Sequence, residues 1–219
     1  DLRNFEVSTE GGYRRINGYQ KFGTGSSTQP TGGTTNILGV FPYADGVIVS
    51  ASTNIYFTQD GITYLQINRS SVSASGDNYS TFTGRSVAAR TSQGQCQFTL
   101  FETATSDYGT VIIADGANKP FAFRMEGSGA LSARTYFAEE ITVTGTKHVK
   151  YVTTHDKHLI AAGVEDNLNT VFYSGTLDPT DFTSSGSGNI VLEDQIEGIK
   201  GFRNELFIFC TNSIFKLIN

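Results

Sequence analysis

Four times along this chain a short apolar strand follows a turn built on Asp or Asn, and a second, aromatic-rich strand follows it. The first copy runs from Asp45-Gly46 through Val47-Ile48-Val49 to Ile55-Tyr56-Phe57. The second runs from Asp107-Tyr108-Gly109 through Val111-Ile112-Ile113 to Phe121-Ala122-Phe123, with the turn Asp115-Gly116-Ala117-Asn118 between the two strands. The third places Leu159-Ile160-Ala161 after Asp156-Lys157 and before Val171-Phe172-Tyr173, and the fourth places Leu206-Phe207-Ile208 after Asn204-Glu205 and before Ile214-Phe215. A further strand precedes each turn, at 38–43, 98–103, 149–154 and 199–202, and the first copy adds a fourth at 62–67 after Gln59-Asp60-Gly61. The copies begin near 47, 111, 159 and 206, at intervals of 64, 48 and 47 residues. The Ser/Thr/Gly-rich stretch 69–95 lengthens the first interval and reads as an extended outer loop.

This unit has a physical reading. Its second strand is apolar at nearly every position, as a strand covered on both faces must be. Its last strand is variable and more polar, as an edge is. Repeats of about 40–50 residues, each a small antiparallel sheet, are the signature of a β-propeller, whose blades cannot bury their own faces and must stack. The expected fold is therefore all-β: a β-propeller of four-stranded antiparallel blades, about four repeats in 37–219, preceded by an extended segment and Gly/Ser/Thr linker in 1–36. Three and a half blades do not close a ring unaided. The chain also begins without Met and stops inside an apolar run, so the expectation is an incomplete propeller within a longer polypeptide.

Composition narrows the function. The 24 glycines show no three-residue period, which excludes collagen. A formal net charge of −5 argues against tight binding to phosphate backbones but is compatible with passive contact with DNA. Two distant cysteines, Cys96 and Cys210, make no disulfide framework and read as buried free thiols. No apolar run approaches the ~20 residues a membrane helix needs.

The opening segment carries a resemblance. Leu2-Arg3-Asn4-Phe5-Glu6-Val7, followed by Glu10-Gly11-Gly12-Tyr13-Arg14-Arg15-Ile16-Asn17-Gly18-Tyr19, resembles the N-terminal part of tail nozzle proteins (tail tubular protein B) of short-tailed bacteriophages, where a similar segment precedes a propeller. The resemblance rests on about 20 motif residues and the blade pattern behind them. It implies a non-enzymatic virion protein of the phage tail: a ring subunit, usually of a hexamer, through whose lumen genomic DNA passes without specific binding, and to which adaptor, tail-tube and fibre proteins attach. Family members run to several hundred residues, with platform and tip domains not visible here. Tyr13, Arg14, Arg15 and Tyr19 are the candidate interface residues it suggests.

No catalytic, cofactor or metal site is expected. No Gly-rich loop runs into Lys-Ser or Lys-Thr, and no Gly-x-Ser-x-Gly elbow is present. Gly11-Gly12 reads as a turn. His155 and His158 flank a turn and are expected to be solvated; with His148 they lack the ligands a metal needs. Glu139-Glu140, Glu165-Asp166 and Glu193-Asp194 are adjacent pairs, which on a strand point to opposite faces, although carboxylates from different blades can still meet at a propeller's centre. Thr58-Gln59-Asp60-Gly61-Ile62-Thr63-Tyr64 is similar to the Asp box of sialidase-type propellers, one residue short of the usual spacing, and reads as a turn device. Leu177–182 reads as a turn between the third and fourth strands of its blade. The alternatives to a tail structural protein are a host-receptor or carbohydrate-binding propeller of a fibre or tailspike, with Tyr43, Tyr56, Tyr64, Tyr79 or Tyr173 on an exposed face, and a glycosidase propeller. The first reading of those rings is core packing between blades.

Overall fold

The computed structural model describes residues 5–7, 13–15, 36–68, 90, 94–102, 107–145 and 147–217. Everything regular among them is β-structure, apart from one turn of 3₁₀ helix at Leu131–Ala133. Strands β1 (Phe5–Val7) and β2 (Tyr13–Arg15) form a separate antiparallel pair, with Phe5 opposite Arg15 and Val7 opposite Tyr13.

The remaining strands make four antiparallel sheets, each an up-and-down meander, arranged as the blades of a four-bladed β-propeller. Blade 1 is β3 (Ile37–Tyr43), β4 (Gly46–Ala51), β5 (Asn54–Thr58) and β6 (Leu65–Gln66). Blade 2 is β7 (Gln97–Phe101), β8 (Thr110–Ala114), β9 (Phe121–Glu126) and β10 (Thr135–Glu140). Blade 3 is β11 (Val149–His155), β12 (His158–Val164), β13 (Thr170–Tyr173) and β14 (Gly188–Val191). Blade 4 has three strands among the described residues, β15 (Ile196–Phe202), β16 (Glu205–Cys210) and β17 (Ile214–Leu217).

In blades 2 and 3 the second strand is the most buried, as its composition requires; in blade 1 the third strand, β5, is, with four of its five residues buried. All five residues of β8 are buried, and so are six of the seven in β12. Alternation along each strand sends successive side chains to opposite neighbours. Ile48, Ile55 and Phe57 of blade 1 meet Val111, Ile113 and Phe123 of blade 2. Ile112 and Ala122, on the other face of blade 2, meet Val152, Leu159 and Ala161 of blade 3. Ile160 and Ala162, on the other face of blade 3, meet Leu206 and Ile208 of blade 4. Each such aliphatic or aromatic side chain contributes on the order of 1.5–3 kcal/mol by leaving water.

Among the described residues there are thus three apolar inter-blade cores for four blades, and none joins blade 4 to blade 1. The outward faces of those two blades keep apolar side chains in water. On blade 4, Phe209 is 41% and Ile214 67% exposed; on blade 1, Val40 is 59% exposed.

The outer strand of blade 1 is shorter than 62–67. Asp60 accepts the backbone N–H of Ile62 and of Thr63, both at 2.8 Å, and Gly61 N–H donates to Thr58 Oγ1 at 2.9 Å. The Asp-box-like segment is therefore a tight turn, and it consumes residues the pattern had given to a strand. The stretch 69–95 lies outside the described residues except Arg90, Gly94 and Gln95, so its expected role as an outer loop does too.

Candidate functional site

The first strands of the four blades face a common centre, and where they turn into the second strands they enclose a cavity of about 680 Å³. Phe41 of β3, Phe98–Leu100 of β7, Thr153–His155 of β11 and Lys200–Phe202 of β15 line it, together with the hairpin turns after β11 and β15. Those turns are two residues long, with both residues left-handed: Asp156 and Lys157 at φ 44° and 64°, Arg203 and Asn204 at φ 50° and 62°. This geometry matches the twist of the flanking strands but suits Asn, Asp and Gly; Lys157 and Arg203 adopt it at a steric cost of roughly 1–2 kcal/mol each. Strain of this kind collects at functional sites.

The charges in the lining are of both signs. Glu205 is engaged by Lys216 Nζ at 2.8 Å. Lys200, Arg203 and Asp156 form no ion pair among the described residues. The Arg203 guanidinium lies 5.2 Å from the Phe202 ring centroid, and the Phe41 and Phe98 rings stack at 5.5 Å.

His155 corrects the expectation of a solvated turn. It is 9% exposed, and its Nε2 has no hydrogen-bond partner among the described residues. Its strand packs on blade 4, which takes the ring out of water. His155 stands between the central cavity and a smaller one of about 220 Å³ enclosed by blades 3 and 4, lined also by His158, Ile160, Tyr173, Leu206 and Leu217. His158, opposite it in register, approaches the Ser174 carbonyl through Nδ1 at 2.5 Å and packs edge-on against Tyr173. No group of three or more His, Cys, Asp or Glu suited to a metal occurs among the described residues.

The carboxylate pairs singled out in the sequence do not line this cavity. Glu139 and Glu140 end the outer strand β10, Asp166 pairs with Lys147, and Asp194 accepts the backbone N–H of Gln195 and of Asn212. Asp156 and Glu205 are the carboxylates at the centre. Their only sequence signal was their place in the turn that opens each repeat.

The other polar side chains with strong partners join blades. Arg90 and Asp115 form a buried ion pair at the boundary of blades 1 and 2, beside Ser50 and Cys96. Burial alone would raise the Asp115 carboxyl. The Arg90 charge and the N–H groups of Ala117 and Asn118 outweigh it and hold the group below its ordinary value. Tyr43 donates to the Gly109 carbonyl at 2.8 Å, so this ring is inter-blade core, whereas Tyr56 is buried on the other face of blade 1, edge-on to Tyr64. Tyr64 and Tyr173 are half-buried, and Tyr79 lies outside the described residues. Asn68, which opens an Asn-x-Ser triplet, is 3% exposed, donates through Nδ2 to the Thr53 carbonyl at 2.9 Å and is committed to the blade.

Of the proposed interface residues, Tyr13, Arg14 and Arg15 fall on β2, and Tyr19 lies outside the described residues. No helix among the described residues is long and apolar enough to cross a membrane. No family model, curated protein or solved structure matches the chain.

Proposed function

We propose that this chain is a structural, non-catalytic component of a bacteriophage tail, a nozzle or tail-tip subunit that joins a ring around the DNA-ejection conduit. The observation that carries this reading is the set of apolar side chains exposed on the two terminal blade faces. Phe209 and Ile214 on blade 4 and Val40 on blade 1 are surfaces of the kind that every other blade junction here buries, and exposed apolar patches mark contact sites. Blade 4 of one copy against blade 1 of the next is a heterologous contact, which closes into a ring when the rotation allows. The resemblance of residues 2–19 to nozzle proteins supplies the setting: a virion, with adaptor, tail-tube and fibre proteins as partners, a stoichiometry of six and DNA passing through unbound. The net charge of −5 suits a conduit that must not hold its cargo.

The test is the mass and shape of the purified chain by light scattering and electron microscopy. Closed rings with an axial channel support the reading. A monomer at every concentration tried overturns it.

A further inference from the structure

From the central cavity we infer a binding site for an acidic sugar, its carboxylate held by Lys200 and Arg203 and its hydroxyl groups by the threonines and Asp156. This goes beyond the assembly reading and stands or falls independently of it.

The volume, about 680 Å³, lies within the range of small-ligand pockets, and the walls come from four rigid blades rather than from one loop. Two cations without ion-pair partners among the described residues sit on one side, in a chain whose overall charge is negative. Arg203 is moreover held in a left-handed turn, at φ 50°, a conformation that Asn or Gly would adopt more easily. An arginine in that place offers a planar fork of donors, which matches a carboxylate.

The rest of the lining separates a sugar from other anions. Asp156 would repel a polyphosphate or a nucleic acid strand but accepts hydrogen bonds from sugar hydroxyl groups. Thr99, Thr153 and Thr154 donate and accept. Phe41, Phe98 and Phe202 present apolar surface to the C–H faces of a pyranose ring. His155 adds a buried imidazole in the wall whose Nε2 lacks a partner among the described residues, a deficit that a ligand polar atom reaching the ring would meet.

The experiment is calorimetric titration of the full chain with glucuronate, galacturonate and N-acetylneuraminate, with glucose and acetate as controls. The variants are Lys200→Gln and Arg203→Asn; asparagine tolerates the left-handed turn, and Lys200 is exposed, so both should leave the fold intact by circular dichroism. The expected result is saturable binding of at least one acidic sugar, weakened about tenfold or more in each variant by loss of a charge-assisted hydrogen bond. Three results overturn the inference: no binding of any of the three, binding that neither variant changes, or acetate binding as tightly as the sugars. Ring formation is read on the same samples, so failure of this site leaves the assembly reading to its own test.

Discussion

Arg134 of blade 2 grips Asp45 of blade 1 with both ends of its guanidinium, Nη1 to Oδ1 at 2.8 Å and Nη2 to Oδ2 at 2.5 Å, across 89 residues of sequence. The two residues are unequally placed. The Arg134 side chain is fully buried, whereas half of the Asp45 carboxylate faces water. Arg134 also donates to the Gly129 carbonyl, through Nε at 3.1 Å and Nη2 at 2.8 Å.

That asymmetry predicts unequal losses. Asp45→Ala strands a buried cation and should cost about 3 kcal/mol. Arg134→Met keeps much of the packing and leaves a carboxylate that water can solvate, so about 1–2 kcal/mol is expected. Urea denaturation of the two variants measures both; a larger loss for Arg134→Met would contradict this account.

The same pair sets an acid limb. The hydrogen bonds from Arg134, helped by Gln59, outweigh burial and lower the Asp45 carboxyl from 3.8 to about 2. A depressed carboxyl contributes stability that is fully present above its unfolded value and is lost as pH falls through its folded one. Stability should therefore fall between about pH 4 and pH 2, and Asp45→Ala should flatten that part of the profile. Denaturation midpoints at half-unit intervals would show a parallel profile if Asp45 contributes nothing.

The turn at Asp60 offers a local test. Its carboxylate accepts two backbone N–H groups at 2.8 Å, and those bonds, that of Thr63 first, lower its titration below the ordinary value. Asp60→Ala leaves both N–H groups to water and should cost about 1 kcal/mol, close to the loss of a helix N-cap. Asp60→Asn keeps an acceptor oxygen and should lose less. Equal losses would mean that charge, not turn geometry, matters here.

Thiol chemistry separates the two cysteines. Cys96 is 6% exposed among Arg90 and Ser50, Cys210 is half-buried, and burial raises both thiols above their ordinary value. Thiolates are the reactive form, so both should label slowly at neutral pH. Cys210 should react first in the native protein, and Cys96 only on unfolding. Mass spectrometry of timed labelling with iodoacetamide decides the order.

Much of the blade repeat was legible because burial on two faces dictates composition: Val111-Ile112-Ile113 and Leu159-Ile160-Ala161 carry no polar residue, and both stand in second strands. The outer strands were less legible. Residues 62–67 have strand composition, yet Asp60 draws the first of them into a turn through side-chain hydrogen bonds that periodicity does not encode. The central cavity was the hardest to see. Arg203 and Asp156 look like ordinary turn residues, and the packing of two separate hairpins around one cavity is what brings them into the same lining. His155 sits beside a polar turn, and the packing of β11 against neighbouring blades, which local sequence does not encode, buries it.

The terminal face of blade 4 gives the sharpest separation of folding from assembly. Phe215 and Leu217 pack towards blade 3, while alternation sends Phe209 and Ile214 the other way, into water at 41% and 67% exposure. Phe215→Ala should therefore destabilise the monomer by about 2–3 kcal/mol. Phe209→Lys and Ile214→Lys remove little buried surface within one chain and should change its stability by less than about 1 kcal/mol. If blades of neighbouring copies meet on this face, the same two lysines place charge in an apolar contact and should abolish higher-order species in sedimentation velocity. Unchanged assembly in the double variant would exclude this face as the contact.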